Sequence, residues 1–333
     1  MELSVIVIGK NNGKTLERCL KSVLEAIKQT VFLVHSEVIF VDSLSTDDSV
    51  AIAQRLGCEV VQITKGFTTA ALGRNLGIAV AQYAHLLFLD GDMELDAQWL
   101  NNSKAHYEQY EAIRGIRHEV AYVAGKVIEE NPNFDQITTV KPMVRPGGFL
   151  QISRKVLGKN QFTSILRDEE ESDLYAQFIH ESKIYQIPIP AYKHHNYKEL
   201  KHKILDYLTF ERHTGYIISL VLSLSKGYIN GYIILQLKYF LAILSSILFY
   251  IGIITLQPFV WLGCLVIILF DLGLRKRSLI LITVLFPFKF IAAMILLFKQ
   301  PKSTILWKEK QLEIEVSKLN IEHLTVKLDA QKV

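Results

Sequence analysis

Along roughly the first 90 residues, short apolar runs alternate with stretches whose apolar side chains recur every three or four positions. "SVIVI" (4–8) is a β-branched run that stops at the turn sequence Gly9-Lys10-Asn11-Asn12-Gly13. Leu16, Leu20, Val23, Leu24 and Ile27 then fall on one face of a helix. "EVIFVD" (37–42) predicts a second strand ending at Asp42, and the cap-rich "SLSTDDS" leads into a helix over about 49–56. "CEVVQI" (58–63) predicts a third strand, "GRNLGIAVAQY" a helix, and "HLLFL" (85–89) a fourth strand. Strands alternating with helices predict an α/β domain with a mostly parallel sheet covered on both faces.

The fourth strand runs directly into Asp90-Gly91-Asp92. In open α/β sheets ligands bind beyond the carboxyl ends of the strands, and Asp42 marks a second such end. Carboxylates gathered there repel one another unless a cation or ligand donors compensate. Mg²⁺ binds through one or two carboxylates plus substrate phosphates, so an Asp-x-Asp at a strand end suits a metal holding a diphosphate. Asp-Gly is also common turn chemistry, and a solvated turn is the plainer reading of these three residues alone.

Four fragments occur in order: "VIVIGKNNGKTLERCLKSVL", "EVIFVDSLSTDDS", "GRNLGIAVAQYAHLLFLDGDMEL" and "EEESDL". Together they resemble the family-2 glycosyltransferases of GT-A fold, over roughly residues 3–200. The resemblance implies a GT-A-like (Rossmann-like) domain in which Gly9, Asn11 and Asp42 line the nucleoside pocket and Arg74 sits near the nucleotide. It further implies that Asp90 reaches the ribose or the metal, and that Asp92 ligates Mg²⁺ or Mn²⁺ bridging the diphosphate. The chain departs from the family at Ile8-Gly9, where Pro-Thr is common, and at Ser43, where a second acid is common. Both positions belong to the nucleoside pocket, which leaves the base open.

"RPGGFLQISRKVL" (145–157) begins with a Pro-Gly-Gly stretch that lets backbone approach a sugar or acceptor closely, or makes a plain turn. The acids Asp168 to Glu171 read as a solvated surface or, through Glu170-Glu171-Ser172-Asp173-Leu174, as the family's acid pair. The resemblance then makes Glu171 the catalytic base, with Glu170 beside it. A sugar hydroxyl is a poor nucleophile, and a carboxylate within hydrogen-bond reach removes its proton during attack. "YKHHNYKELKHK" (192–203) offers His194 and His195, which complete the metal shell in related enzymes or lie in a basic surface loop.

The hydrophobic pattern changes after residue 200. Tyr239–Leu256 is 18 residues without charge, Pro258–Leu274 is 17 with the single acid Asp271, and 278–298 contains Pro287 and Lys289. A membrane helix needs about 20 apolar residues. These runs divide the chain into a catalytic domain (1–200), a basic juxtamembrane segment (201–232), a membrane region (233–300) and a cytoplasmic tail (301–333). Arg275-Lys276-Arg277 and the later Lys299, Lys302, Lys308 and Lys310 favour the cytoplasm. That favours a hairpin of 239–256 and 258–274 with 278–298 re-entrant or interfacial, against three full spans. Residues 193–226, with six Lys/Arg against three acids, suit anionic lipid.

Bulk composition adds limits. The net charge of +4 over 333 residues is too small to imply nucleic acid. Cys19, Cys58 and Cys264 show no metal or disulfide spacing and suit free thiols in a reducing compartment. "MELSVIVIGKNNG" has no basic leader, and its short apolar run suits a strand better than a signal peptide. No Gly-x-Gly-x-x-Gly follows the first strand, against hydride transfer, and no Gln-x-x-Arg-Trp string points to a processive synthase.

The expectation is an inverting, metal-dependent glycosyltransferase at the cell inner membrane, multi-pass, with its catalytic domain cytoplasmic. It takes a nucleotide-sugar donor and a membrane-associated acceptor. Two acceptors compete: a hydroxyl on a lipid-linked glycan, which needs a base, and a polyprenyl phosphate, which does not. A non-catalytic nucleotide-binding membrane adaptor is the third reading.

Overall fold

A computed structural model of the protein describes residues 1–143, 147–158, 161–166, 170–178, 184–197 and 302–316, with 248 and 251 as isolated positions. All but those two belong to one compact unit, formed by residues 1–200 and 300–333. The second unit, 201–299, lies almost wholly outside the described residues. The expected basic segment (201–232) and apolar runs (239–256, 258–274, 278–298) therefore lie outside them as well, apart from positions 248 and 251. Among the described residues no helix is long and apolar enough to cross a membrane.

The predicted elements of the first 90 residues form in order: β1 (Glu2–Gly9), α1 (Leu16–Lys28), β2 (His35–Ser43), α2 (Ser49–Arg55), β3 (Glu59–Gly66), α3 (Ala70–Val80) and β4 (His85–Asp90). Helix α3 starts earlier than its apolar periodicity suggests, because the Thr69 side chain caps it by accepting from the Leu72 amide at 2.9 Å. Strands β3, β2, β1 and β4 are parallel neighbours in that order. Val5, Ile6, Val7, Ile39, Phe40, Val41, Leu87 and Leu89 are fully buried, as expected of strands covered on both faces. Helix α1 lays Leu16, Cys19, Leu20, Val23 and Ala26 into this core.

Beyond Asp90 the architecture departs from a mostly parallel sheet. β5 (Met93–Leu95), α4 (Trp99–Tyr110), β6 (Ala112–Val123), β7 (Lys126–Asn131), β8 (Lys141–Met143), β9 (Leu150–Ser153), α5 (Arg154–Leu157), α6 (Glu170–Phe178) and β10 (Ile184–Tyr197) follow. β9 lies antiparallel between β4 and β6, and β6 pairs parallel with β10. β5 and β8 are antiparallel to β10, and β7 to β6. The sheet is mixed because this half closes through hairpins and edge additions, which place neighbours antiparallel without a helical crossover.

Residues 302–316, within the stretch expected as a cytoplasmic tail, join the sheet. β11 (Lys302–Trp307) and β12 (Lys310–Glu315) form a hairpin, and β11 pairs antiparallel with β3. They complete a 12-stranded sheet whose main path among the described residues runs β12-β11-β3-β2-β1-β4-β9-β6-β10-β5, with β7 on β6 and β8 on β10 off that path. The alternation is plain once the face is known: Ile305, Trp307, Leu312 and Ile314 are buried, while Lys302, Leu306 and Lys310 are exposed.

Candidate active site

Parallel register gathers the first set of residues. Gly9 of β1 lies opposite Asp42 of β2, and Ile8 lies opposite Asp90 of β4. Gly9, Asp42 and Asp90 thus share one carboxyl edge of the sheet. The turn Asp90-Gly91-Asp92 is fastened there: Gly91 N donates to Ile8 O at 2.8 Å, and Thr15 Oγ1 donates to Gly91 O at 2.9 Å.

Asp42 is fully buried. Its Oδ2 accepts from Ser45 N at 3.1 Å, while its Oδ1 is buried without a partner among the described residues. Burial raises its pKa against the lowering effect of the Ser45 hydrogen bonds. A buried acceptor left free in this way fits a ligand donor. Asn11 holds the pocket wall. Its backbone is left-handed (φ 55°), its amide donates to Ser45 Oγ, and its Oδ1 accepts from Thr46 N, both at 2.8 Å. Asn12 and Asp47 extend this bracing and were not singled out from sequence: Lys10 N donates to Asn12 Oδ1 and Gly13 N to Asp47 Oδ2, each at 2.8 Å.

Arg74 occupies the centre. Its side chain is 2% exposed. It donates to Asp90 Oδ1 and to Glu170 Oε1, each at 2.9 Å, and lies 3.4 Å from Glu171 Oε1. The residue implied to sit near the nucleotide is thus a buried counter-ion joining two parts of the site. Burial acts to lower the Arg74 pKa, but Asp90, Glu171 and Glu170 outweigh it and raise it. Glu170 and Glu171 open helix α6, where carboxylates complement the helix dipole. Burial and then the Glu170 charge push Glu171 up to about 8, against the pull of Arg74. Burial also raises Asp90, with Arg74 opposing and Asp92 adding to the rise.

The Gly-Gly stretch touches this cluster. A Cβ on Gly148 would stand 1.9 Å from Asp90 Oδ2. Only glycine allows backbone so close to that carboxylate, and the 147–148 stretch is therefore built against Asp90.

The two histidines separate. Consecutive strand residues face opposite sides of a sheet, so β10 directs the rings of His194 and His195 apart. His194 Nε2 is 3.6 Å from Asp92 Oδ2, and its Nδ1 is 2.9 Å from Glu119 Oε2. Burial acts to lower its pKa, but Asp92 and then Glu119 outweigh it and hold it at about 9. His195 instead pairs Nε2 with Glu94 Oε2 at 2.9 Å and Nδ1 with Tyr122 OH at 3.0 Å, so its ring is not brought to the Asp92 carboxylate. Glu119, which anchors His194, escaped the sequence reading because nothing local announces a strand-to-strand partner 75 residues away.

Among the described residues no three His, Cys, Asp or Glu side chains form a ready metal cage. Asp92 Oδ1, however, is buried without a partner among the described residues, on the carboxylate whose Oδ2 lies 3.6 Å from His194 Nε2. Hard carboxylate oxygens with room for substrate phosphates suit Mg²⁺ or Mn²⁺, which are seldom held by all-protein cages. The donor set fits such an ion.

Residues 4–161 match the profile of Glycosyl transferase family 2. The fold is similar to S. aureus TarS 1-349 in complex with UDP-GlcNAc, at 18% identity and a TM-score of 0.50, covering 66% of this chain and 65% of that one. The same protein in complex with UDP gives 17% identity, a TM-score of 0.48, and coverage of 66% of each chain. The chain thus spans slightly less than two thirds of these solved chains. Residues 4–161, which carry Gly9, Asp42, Asp90 and Asp92, are thus similar to a family 2 glycosyltransferase domain, in agreement with the mixed α/β fold.

Proposed function

We propose that the protein is an inverting, metal-dependent glycosyltransferase that moves a sugar from a nucleotide-sugar donor to a hydroxyl of a membrane-associated acceptor, at the cytoplasmic face of the cell inner membrane. The observation that carries this reading is the Arg74 bridge. One buried guanidinium holds the strand-end acid Asp90 and the acid pair Glu170/Glu171 in a single cluster, so that donor-side and base-side groups lie within reach of one sugar.

Asp42, with its free buried oxygen, would accept from the nucleoside base. Asp90 and Asp92 would hold Mg²⁺ or Mn²⁺, with His194 behind Asp92. When bound, that ion supplies neutralisation of the departing diphosphate. Glu170 is fixed by Arg74 at 2.9 Å, whereas Glu171 sits at 3.4 Å and keeps more of its side chain exposed, 21% against 8%. The looser contact and greater exposure support Glu171 as the member of the pair that takes the proton. As the acceptor oxygen bonds to the anomeric carbon, the bond to the diphosphate breaks, its electron pair leaves with the phosphate oxygen, and the hydroxyl proton passes to Glu171. One displacement inverts the centre.

TarS is captured with UDP-GlcNAc, which makes UDP-sugars the first donors to assay. Glu171→Gln keeps the size and removes the proton acceptor, so turnover should fall about 10²–10⁴-fold while donor affinity, measured by calorimetry, holds. A larger loss in Glu170→Gln would move the base by one residue. Near-normal turnover in both single variants and in the double variant would remove the base and favour a polyprenyl-phosphate acceptor.

A further inference from the structure

The chain leaves the sheet at Tyr197, the end of β10, and rejoins it at Lys302, the start of β11. The return is built into the domain. Ser303 lies opposite Gly66, Thr304 opposite Lys65 and Trp307 opposite Val61. Beyond the ladder, Ser303 Oγ donates to Phe67 O at 2.6 Å, and Phe67 N donates to Lys302 O at 3.3 Å. Trp307 Nε1 donates to Glu59 Oε1. Ile305, Trp307, Ile314 and Val316 are each no more than 5% exposed. Gly66 has φ +99°, and a Cβ there would stand 2.2 Å from Lys302 O. A side chain at residue 66 would clash with the returning backbone, so β3 is shaped to receive β11. Without the hairpin β3 would be an open edge.

We infer that residues 302–316 are a structural part of the glycosyltransferase domain, and that the apolar segment before them begins and ends on one side of the membrane and crosses it an even number of times. The crossing count rests on the membrane attachment proposed above; the hairpin assignment does not. Paired strands lie about 4.8 Å apart, whereas the hydrocarbon core is about 30 Å thick, so β11 and β3 cannot pair across a bilayer. Three full crossings by 239–256, 258–274 and 278–298 would deliver Phe298 to the far side. Only Lys299, Gln300 and Pro301 separate it from Lys302. At about 3.3–3.6 Å per residue, that stretch spans roughly half the core and cannot bring β11 back. On the proposed membrane attachment, at least one of the three runs is therefore not a full crossing. The run with Pro287 and Lys289 near its middle is the one whose insertion costs most.

The test uses the full chain. In one arm, Val31→Cys, Ser278→Cys and Gln331→Cys are made singly in a background without Cys19, Cys58 and Cys264, and sealed membrane vesicles are treated with an impermeant maleimide. Val31 is 95% exposed. Equal accessibility at all three sites before and after permeabilisation is expected. Labelling of position 331 from the face opposite position 31 overturns the inference. In the second arm, Lys65→Cys with Thr304→Cys and Cys58→Ser should form an intramolecular disulfide, because directly paired strand residues lie within disulfide range. No cross-link overturns the hairpin assignment. If the chain washes off membranes in alkaline carbonate, the membrane reading fails, and the cross-link still decides whether the hairpin belongs to the domain.

Discussion

Replacing Arg74 by Met removes the cation that, among the described residues, Asp90, Glu170 and Glu171 share. At an effective dielectric of about 20, each 2.9 Å contact is worth on the order of 5 kcal/mol before desolvation, and burial of the charges offsets most of that. What remains after deleting one partner is the cost of buried acids left facing each other, about 3–5 kcal/mol. For a domain of this size each kcal/mol moves Tm by about 2–4 °C, so the loss should be about 6–20 °C. The pH dependence follows from the same charges. Asp90 and Glu171 already have raised pKa values, and losing Arg74 raises them further in the folded state. A raised acid favours the folded state when protonated and opposes it when ionised. The deficit should therefore be largest above about pH 8 and shrink as the pH falls towards 5. Thermal unfolding of wild type and Arg74→Met across that range reads both effects. A Tm within 2 °C of wild type at pH 8, or a deficit that does not change with pH, would refute the role of Arg74 as shared counter-ion.

Asp92→Ala should abolish turnover and make nucleotide-sugar binding insensitive to Mg²⁺ or Mn²⁺; metal-dependent activity in that variant would remove Asp92 from the metal site. The kcat/KM profile should rise with pH through about 8, where Glu171 loses its proton, and that limb should vanish in Glu171→Gln. In ¹⁵N NMR His194 should titrate near 9 and move towards its ordinary value in Glu119→Gln. Because the folded pKa of His194 lies above its ordinary value, the pairing stabilises fully below about pH 6.5 and is lost as pH rises through about 9. Glu119→Gln should accordingly cost stability at pH 6 and little at pH 10.

The first four strands and three helices were legible because their signals are local. Alternation, helical spacing and cap residues act within a few positions, and the acids at strand ends mark the ligand edge of any parallel sheet. Asp42, Asp90 and Asp92 could be singled out for the same reason, whereas the acid pair that opens α6 was marked only by the family resemblance.

Only the tertiary structure decided which partners those residues find. Arg74 turns inward to acids that lie 16 and 96 positions away, a choice no window around it encodes. Whether His194 or His195 faces Asp92 is a matter of strand phase, and a one-residue shift in β10 would exchange them. Pairing of β6, β9 and β10 across long separations made the sheet mixed. The hairpin at 302–315 alternates too weakly to choose a face alone, and it takes one only because β3 offers an unpaired edge and a glycine where the backbones meet. Periodicity says what a segment can bury; register and strand neighbours, set by contacts distant in the chain, say against what.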